Sequence, residues 1–409
     1  MNNDPNNFSG SSSTVSKSRR LWMGIVLGAL SAFGPLSIDM YLPSLPILTK
    51  DLHTSTSLAQ FSLTACLLGL SFGQLVAGSQ SDIRGRRIPL LIGLVSYSAS
   101  SLLCVISPSI WGLILLRFIQ GFAGSAGIAI SRAIVRDLYS GSAMIKFFAL
   151  LMLINGIGPI FAPIIGGQLL QFTSWRGVFL VLGLIGFIML LAVLFTLPET
   201  LPLQRRSQAG LLNTLTTFRD LLGDRVFMSY ALPQGLVMAA MFAYISGSPF
   251  VIQNIFGANP QMFSLFFAVN GVGIIIAGQL TGRLASRISG TKLFLYGLLQ
   301  AVVGGLGLLT MILLGAGLSA ILLALFVVVS SVGIVSTAGS SLAMENYGHS
   351  AGSASALLGL FSYVIGALVA PLVGLGGGNT ALPMGLVIGV TEVGAILSYV
   401  MLRRRTLPH

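Results

Sequence analysis

Apolar runs of about twenty residues recur along the whole chain, separated by short polar links. They read as spans over 21–44, 57–79, 88–107, 109–133, 144–170, 177–198, 226–252, 261–283, 291–315, 318–343, 350–374 and 380–402. Each is long enough to cross a hydrocarbon layer about 30 Å thick. A bilayer core offers the backbone no partners, and the alternation of a membrane barrel is missing, so the spans are predicted to be helices. The expected fold class is an all-α membrane protein with twelve transmembrane helices.

The links carry the next layer of information. Cations gather beside alternate links: Lys17, Arg19 and Arg20; Arg84, Arg86 and Arg87; Arg132, Arg136 and Lys146; Arg205, Arg206, Arg219 and Arg225; Arg283, Arg287 and Lys292; Arg403, Arg404 and Arg405. Of the 22 Lys and Arg, only Lys50 and Arg176 fall at the other links, and Arg117 lies inside the fourth span. Basic residues mark the cytoplasmic side, so both termini are expected in the cytoplasm. The net charge of +12 is thereby explained by topology, and nucleic acid is not an expected partner.

The longest link, 199–225, divides the chain into a 21–198 bundle and a 226–402 bundle. Residues 1–20 read as a disordered N-terminus and 403–409 as a short tail. Within the link, LLNTLTTFRDLLGDR reads as a helix lying on the membrane surface. GSQSDIRGRR (from Gly78) and GRLASRISG (from Gly282) follow equivalent spans, as do APIIG (from Ala162) and APLVG (from Ala370). Two features repeated at nearly one offset indicate duplicated halves related by an axis along the membrane normal.

Composition agrees and removes alternatives. Residues are 54% hydrophobic and 8% charged, against about 25% charged for soluble domains. No lysine follows a glycine, so no phosphate-binding Walker loop exists. The three histidines are scattered, and Cys66 and Cys104 sit inside spans; neither set suggests a metal site or a disulfide framework. No cofactor is expected, and nothing favours an enzyme.

Ionisable groups inside the membrane are costly and mark pathways. Asp39 closes the first span in SIDMYLPSLP, and Arg117 sits in the fourth at a comparable depth, about 8–13 Å below the outer surface at 1.5 Å per residue. Two arrangements suit them: pairing across a central cavity, or snorkelling of each to the outer headgroups. In the first, Asp39 is a candidate proton and substrate switch, because burial and a nearby guanidinium pull its protonation in opposite directions. Glu392, midway along the last span, reads as a protonated side chain hydrogen-bonded to a neighbouring helix. Asn155 and Asn270 read as interhelical glue or substrate contacts. Tyr41, Tyr244, Phe250, Phe361 and Tyr363 are aromatic candidates for a pocket lining.

These residues resemble the major facilitator superfamily. GSQSDIRGRR is similar to its loop signature, with Gly78, Asp82, Gly85, Arg86 and Arg87 in place. The resemblance implies a cytoplasmic latch between the halves. LILLRFIQGFAGSA (113–126) is similar to its fourth-span signature and implies a part in proton coupling for Arg117. GPIFAPIIGGQL is similar to the fifth-span signature of proton-driven exporters, with Gly158, Pro163, Gly166 and Gly167 matching and Ala162 in place of a glycine. SIDMYLPSLP and SRAIVRDLY (131–139) together resemble the Bcr/CflA drug:proton antiporters. That implies export of small hydrophobic drugs, of the chloramphenicol and bicyclomycin type, across a bacterial inner membrane in exchange for protons. The expected substrate contacts are Asp39, Tyr41, Arg117 and Asn155, in a protein that works as a monomer. An importer of a small nutrient with the same fold is the alternative, and a non-transporting receptor a more distant one.

Overall fold

The computed structural model describes residues 17–139, 141–206, 211–345, 347 and 351–404. Fifteen helices follow in chain order: α1 (Lys17–Ser31), α2 (Phe33–Asp39), α3 (Leu45–Asp51), α4 (Thr56–Arg84), α5 (Arg87–Val105), α6 (Ile110–Leu138), α7 (Gly141–Leu169), α8 (Trp175–Thr196), α9 (Leu211–Gly223), α10 (Arg225–Phe250), α11 (Pro260–Leu284), α12 (Gly290–Leu313), α13 (Leu318–Met344), α14 (Ala351–Val369) and α15 (Leu382–Arg404). The described residues contain no strand. Ten helices are long and apolar enough to cross a bilayer; the bent α1–α3 unit makes an eleventh, and α7, with its apolar stretch Leu153–Leu169, supplies a twelfth. Trp111 and Phe172 at one end, and Trp22 and Phe195 at the other, are exposed where interfacial aromatic belts belong.

For orientation, the end carrying the 84–87 turn and the first and last described residues, Lys17 and Arg404, is called proximal, and the opposite end distal. Short polar residues start the helices. Ser55, Ser109, Ser174, Asp224 and Asn259 each accept a backbone N–H from the first turn they precede, satisfying donors the helix leaves open.

The bundles are built on glycine-mediated contact. A Cβ on Gly121 of α6 would stand 2.2 Å from the Cys66 carbonyl of α4; one on Gly333 of α13 would stand 2.3 Å from the Ile274 carbonyl of α11. The same close crossing thus recurs in both halves, as small residues in membrane helices allow.

Two expectations need correction. The first span is not one helix: it bends by 42° between Ser31 and Phe33. Pro35 has no N–H to return to the Ser31 carbonyl, which breaks the ladder there. The N-terminal stretch is helical from Lys17, so only residues 1–16 of the expected disordered arm, with 405–409 of the tail, lie outside the described residues. In the linker helix α9, Phe218 and Leu221 pack onto Phe227, Leu357 and Leu358 of the second bundle, while Leu222 is exposed.

Candidate transport site

The α1–α2 break sets the site. It lets α2 run at an angle to α1 and puts Asp39 at its C-terminal residue. The α7 glycines then hold this segment. A Cβ on Gly166 would stand 2.0 Å from the Met40 carbonyl, and one on Gly158 would stand 2.9 Å from Pro35. These positions, eight apart, lie on one helical face and admit the backbone on both sides of Asp39. Pro163 and Gly167 face the other bundle. The Pro163 carbonyl accepts from Ser264 Oγ at 2.7 Å, and the Gly167 carbonyl from Gln261 Nε2 at 2.7 Å.

Arg117 is wholly buried inside the first bundle. It donates to the Ser37 carbonyl at 2.8 Å and to Gln120 Oε1 at 2.5 Å. Gln120 donates in turn to Ser101 Oγ at 2.7 Å, and Ser101 to the Tyr97 carbonyl at 2.7 Å. Tyr97 OH meets Ser37 Oγ at 2.8 Å, which closes a ring of polar contacts. The guanidinium also lies 4.9 Å from the Tyr41 ring and 5.5 Å from that of Phe179, within cation–π range.

Asp39 is 5% exposed, so neither it nor Arg117 snorkels to headgroups. The expected pairing of the two is not formed: the ion pairs among the described residues are Arg86–Asp82, Arg86–Asp137 and Arg176–Asp51. Arg117 gives one N–H to the backbone two residues before Asp39 and another to Gln120, while its Nε is left without a partner. Tyr244 and Tyr363 of the second bundle lie within reach of the Asp39 charge. Tyr244 OH is held by Asn270 at 2.9 Å. Tyr41, expected among substrate contacts, is fully buried and joined to Ser62 Oγ at 3.0 Å; it packs beneath Arg117. Asn155 bonds its own helix, at the Leu151 carbonyl, 2.8 Å away. Glu392 is buried, but its expected hydrogen bond is missing: both carboxyl oxygens are without a partner.

On the distal side of Asp39 the bundles are stitched together. Besides the two α7 contacts, Gln60 Nε2 donates to the Ser246 carbonyl at 3.0 Å, Thr64 Oγ1 to that of Ala367 at 3.1 Å, and Gln253 Nε2 to that of Pro43 at 3.2 Å. Every acceptor is a backbone carbonyl, and several lack ordinary partners. Pro371 has no N–H to give Ala367, Pro46 has none to give Pro43, and the Gln171 N–H turns from Gly167 to Gln168. None of the five donors, Gln60, Thr64, Gln253, Gln261 and Ser264, stood out in the sequence. The prolines that free their acceptors were the available signal.

At the proximal end the described contacts of the loop signature run to the first bundle and to Glu199 at the start of the linker. Arg86 pairs with Asp82 at 2.5 Å and with Asp137 at 2.8 Å. Gly85 has φ 91°, where a side chain would be strained. The turn delivers the Arg86 and Arg87 N–H groups to the two carboxylate oxygens of Glu199, at 2.8 and 3.1 Å. Partial burial pushes the Glu199 carboxyl up, but the backbone donors of Leu201, Arg86, Arg87 and Thr200 outweigh it and hold the group below its ordinary range. Gly78 has open space where a Cβ would stand.

Twelve spans in two bundles, stitched together along one side of the seam between them, make the architecture of a membrane transporter. The sequence profile of the Major Facilitator Superfamily matches residues 21–371, and the chain belongs to that superfamily. It is 45% identical over 382 residues to the uncharacterized MFS-type transporter YdgK of Bacillus subtilis (strain 168), covering 93% of this chain and 95% of that one. It is 30% identical over 383 residues to a bicyclomycin resistance protein homolog of Haemophilus influenzae, covering 94% and 96%. Multidrug resistance protein MdtL of Salmonella heidelberg is 28% identical over 61% of this chain and 63% of its own. Among solved structures, the nucleoside transporter NupG superposes with a TM-score of 0.76 at 13% identity, covering 94% and 99%. A bacterial homolog of the human lysosomal transporter Spinster, inward-facing and occupied, gives 0.73 at 16%, covering 95% and 98%. The protein is therefore a multi-pass membrane transporter and not an enzyme.

Proposed function

We propose that this transporter exports small hydrophobic drug-like compounds across a bacterial inner membrane in exchange for protons, with Asp39 as the proton-carrying group. The observation that carries this reading is the Asp39 carboxylate, buried at the seam between bundles with no counter-charge. An ion so placed is costly, and the cost is relieved either by a proton or by a substrate. Competition of the two for one carboxylate is what exchange requires. Arg117, with Tyr41 beneath it, fixes the backbone that aims Asp39, and Asn155 stands on the helix that flanks it. The resistance named in two relatives supports a drug as cargo.

The basic proximal links put that end, with both termini and the 199–225 linker, in the cytoplasm. The distal stitching then seals the site from the outside, and the Gly78–Arg87 loop braces the cytoplasmic face in this state. One chain supplies both bundles, 21–198 and 226–402, and the path between them, so the unit is a monomer.

The test is counterflow in proteoliposomes with an imposed pH gradient, using chloramphenicol as probe. Export by exchange moves drug against the gradient of protons, and Asp39→Asn abolishes the response to pH. Drug accumulating together with protons would instead establish import.

A further inference from the structure

Glu392 is the one acid of the second bundle held in the middle of a span. It lies near the centre of α15, is 0% exposed, and has no hydrogen-bond partner on either carboxyl oxygen. The elements packed against α15 are α10, α12 and the 370–379 segment. Their titratable side chains are Arg225, Tyr230 and Tyr244 on α10 and Lys292 and Tyr296 on α12, and 370–379 has none. Tyr399, Arg403 and Arg404 of α15 itself complete the set, and none of the ion pairs among the described residues involves Glu392.

The duplicated fold supplies an internal control. At offsets of 204 to 208 the first bundle carries Leu184, Ile185, Gly186, Phe187 and Ile188, with no acid. There Gly186 takes Ser98 of α5 into its space: a Cβ on it would stand 2.6 Å from Ser98 Oγ. In the second bundle the sizes are exchanged. Gly305 of α12 makes the room, and a Cβ on it would stand 3.2 Å from Glu392 Cγ. The packing layer is built in one half without a carboxyl, so packing does not demand one in the other. A neutral acid whose O–H finds no acceptor is also poorer glue than an apolar side chain of that size.

We propose that Glu392 is a second proton-binding site. Its carboxyl is protonated while the distal seam is closed, and it loses that proton to water when the second bundle rearranges to open the seam. The O–H bond breaks, the oxygen keeps the electron pair, and the proton leaves with the solvent that enters between α10, α12 and α15. This rests on the proposed proton exchange and adds one proton per cycle to that on Asp39.

The experiment follows the infrared carbonyl stretch of buried neutral carboxylic acids, in protein reconstituted in lipid nanodiscs at acid and alkaline pH. The seam is held shut by thiol cross-linking of Gln60→Cys with Ser246→Cys, or left free. With the seam shut, the band persists into alkaline pH and is reduced by Glu392→Gln, or shifted by Glu392→Asp should the amide variant fold poorly. With the seam free, the Glu392 part of the band disappears as pH rises. A band indifferent to both substitutions, or one that survives alkaline pH with the seam free, overturns the proposal. Asp39→Asn is the separate arm: a spectrum it leaves unchanged would refute the role of Asp39 and leave that of Glu392 standing.

Discussion

Arg117 gives an N–H to the carbonyl of Ser37, 2.8 Å away, and forms no ion pair with Asp39 two residues further on. The guanidinium therefore acts on the acid through the backbone. It fixes the last turn of α2 and leaves the carboxylate free at the seam. A direct ion pair would have favoured the ionised form of Asp39 and opposed its taking up a proton.

This makes Arg117→Lys a revealing substitution. An ammonium cannot span Ser37, Gln120 and the Tyr41 face in the fixed fork geometry of a guanidinium. Loss of one such charge-assisted bond is expected to cost about 1.5–3 kcal/mol, read as a lower melting temperature in detergent. Transport falls with it, while Asp39 keeps its place in the sequence of proton binding. Wild-type stability in the lysine variant would mean that the fork geometry is dispensable.

Gly166 and Gly78 make a matched pair. Both belong to recognisable signatures, but alanine at 166 meets the Met40 carbonyl at 2.0 Å, whereas alanine at 78 meets nothing within 4 Å. Gly166→Ala is expected to destabilise by about 1–3 kcal/mol through overpacking and to displace the Asp39 segment. Gly78→Ala leaves the stability within about 0.5 kcal/mol of wild type. Equal melting temperatures for the two variants would contradict the α7–α2 contact.

How far the sequence carried this picture depends on range. The spans follow from apolar length, and the two bundles from a repeat visible at Gly78 and Gly282, because both signals are local. The burial of Asp39 and Arg117 was also legible, since an ion in an apolar run has few places to go. Their relation was not. Whether a guanidinium reaches a carboxylate or a carbonyl two residues away depends on the bend at Pro35, which composition does not encode. Glu199 was passed over for the same reason. It is one acid in a long link until the 84–87 turn brings two amides onto it.

Glu199 yields a pH prediction. Its folded pKa is depressed below the ordinary 4.5. Its contribution is therefore present in full above the unfolded value and is lost as pH falls through the lower, folded value. Wild-type stability should decline on acidification below about pH 4.5, and Glu199→Gln should show lower stability at neutral pH with a flatter decline. The check is a set of thermal melts in detergent from pH 3 to 7; parallel curves for the two proteins would exclude the contribution.

The distal stitching predicts a shift of conformation more than a loss of fold. Thr64 Oγ1 serves the Ala367 carbonyl, which Pro371 cannot. Thr64→Val keeps the shape and removes the donor, leaving a carbonyl unsatisfied only while the seam is closed. An unmade bond of this kind costs about 1–3 kcal/mol, and in the open state water can supply the partner, so the cost falls on one conformation. The equilibrium should move toward the open seam by roughly ten-fold. Labelling of a cysteine placed at Gln253 by an aqueous maleimide reads this, since Gln253 is itself a stitching donor, half-buried while the seam is closed and more accessible on opening. Faster labelling in Thr64→Val with an unchanged melting temperature is the expected pattern. Unchanged labelling would mean that the seam is held by apolar packing, with the polar contacts along for the ride.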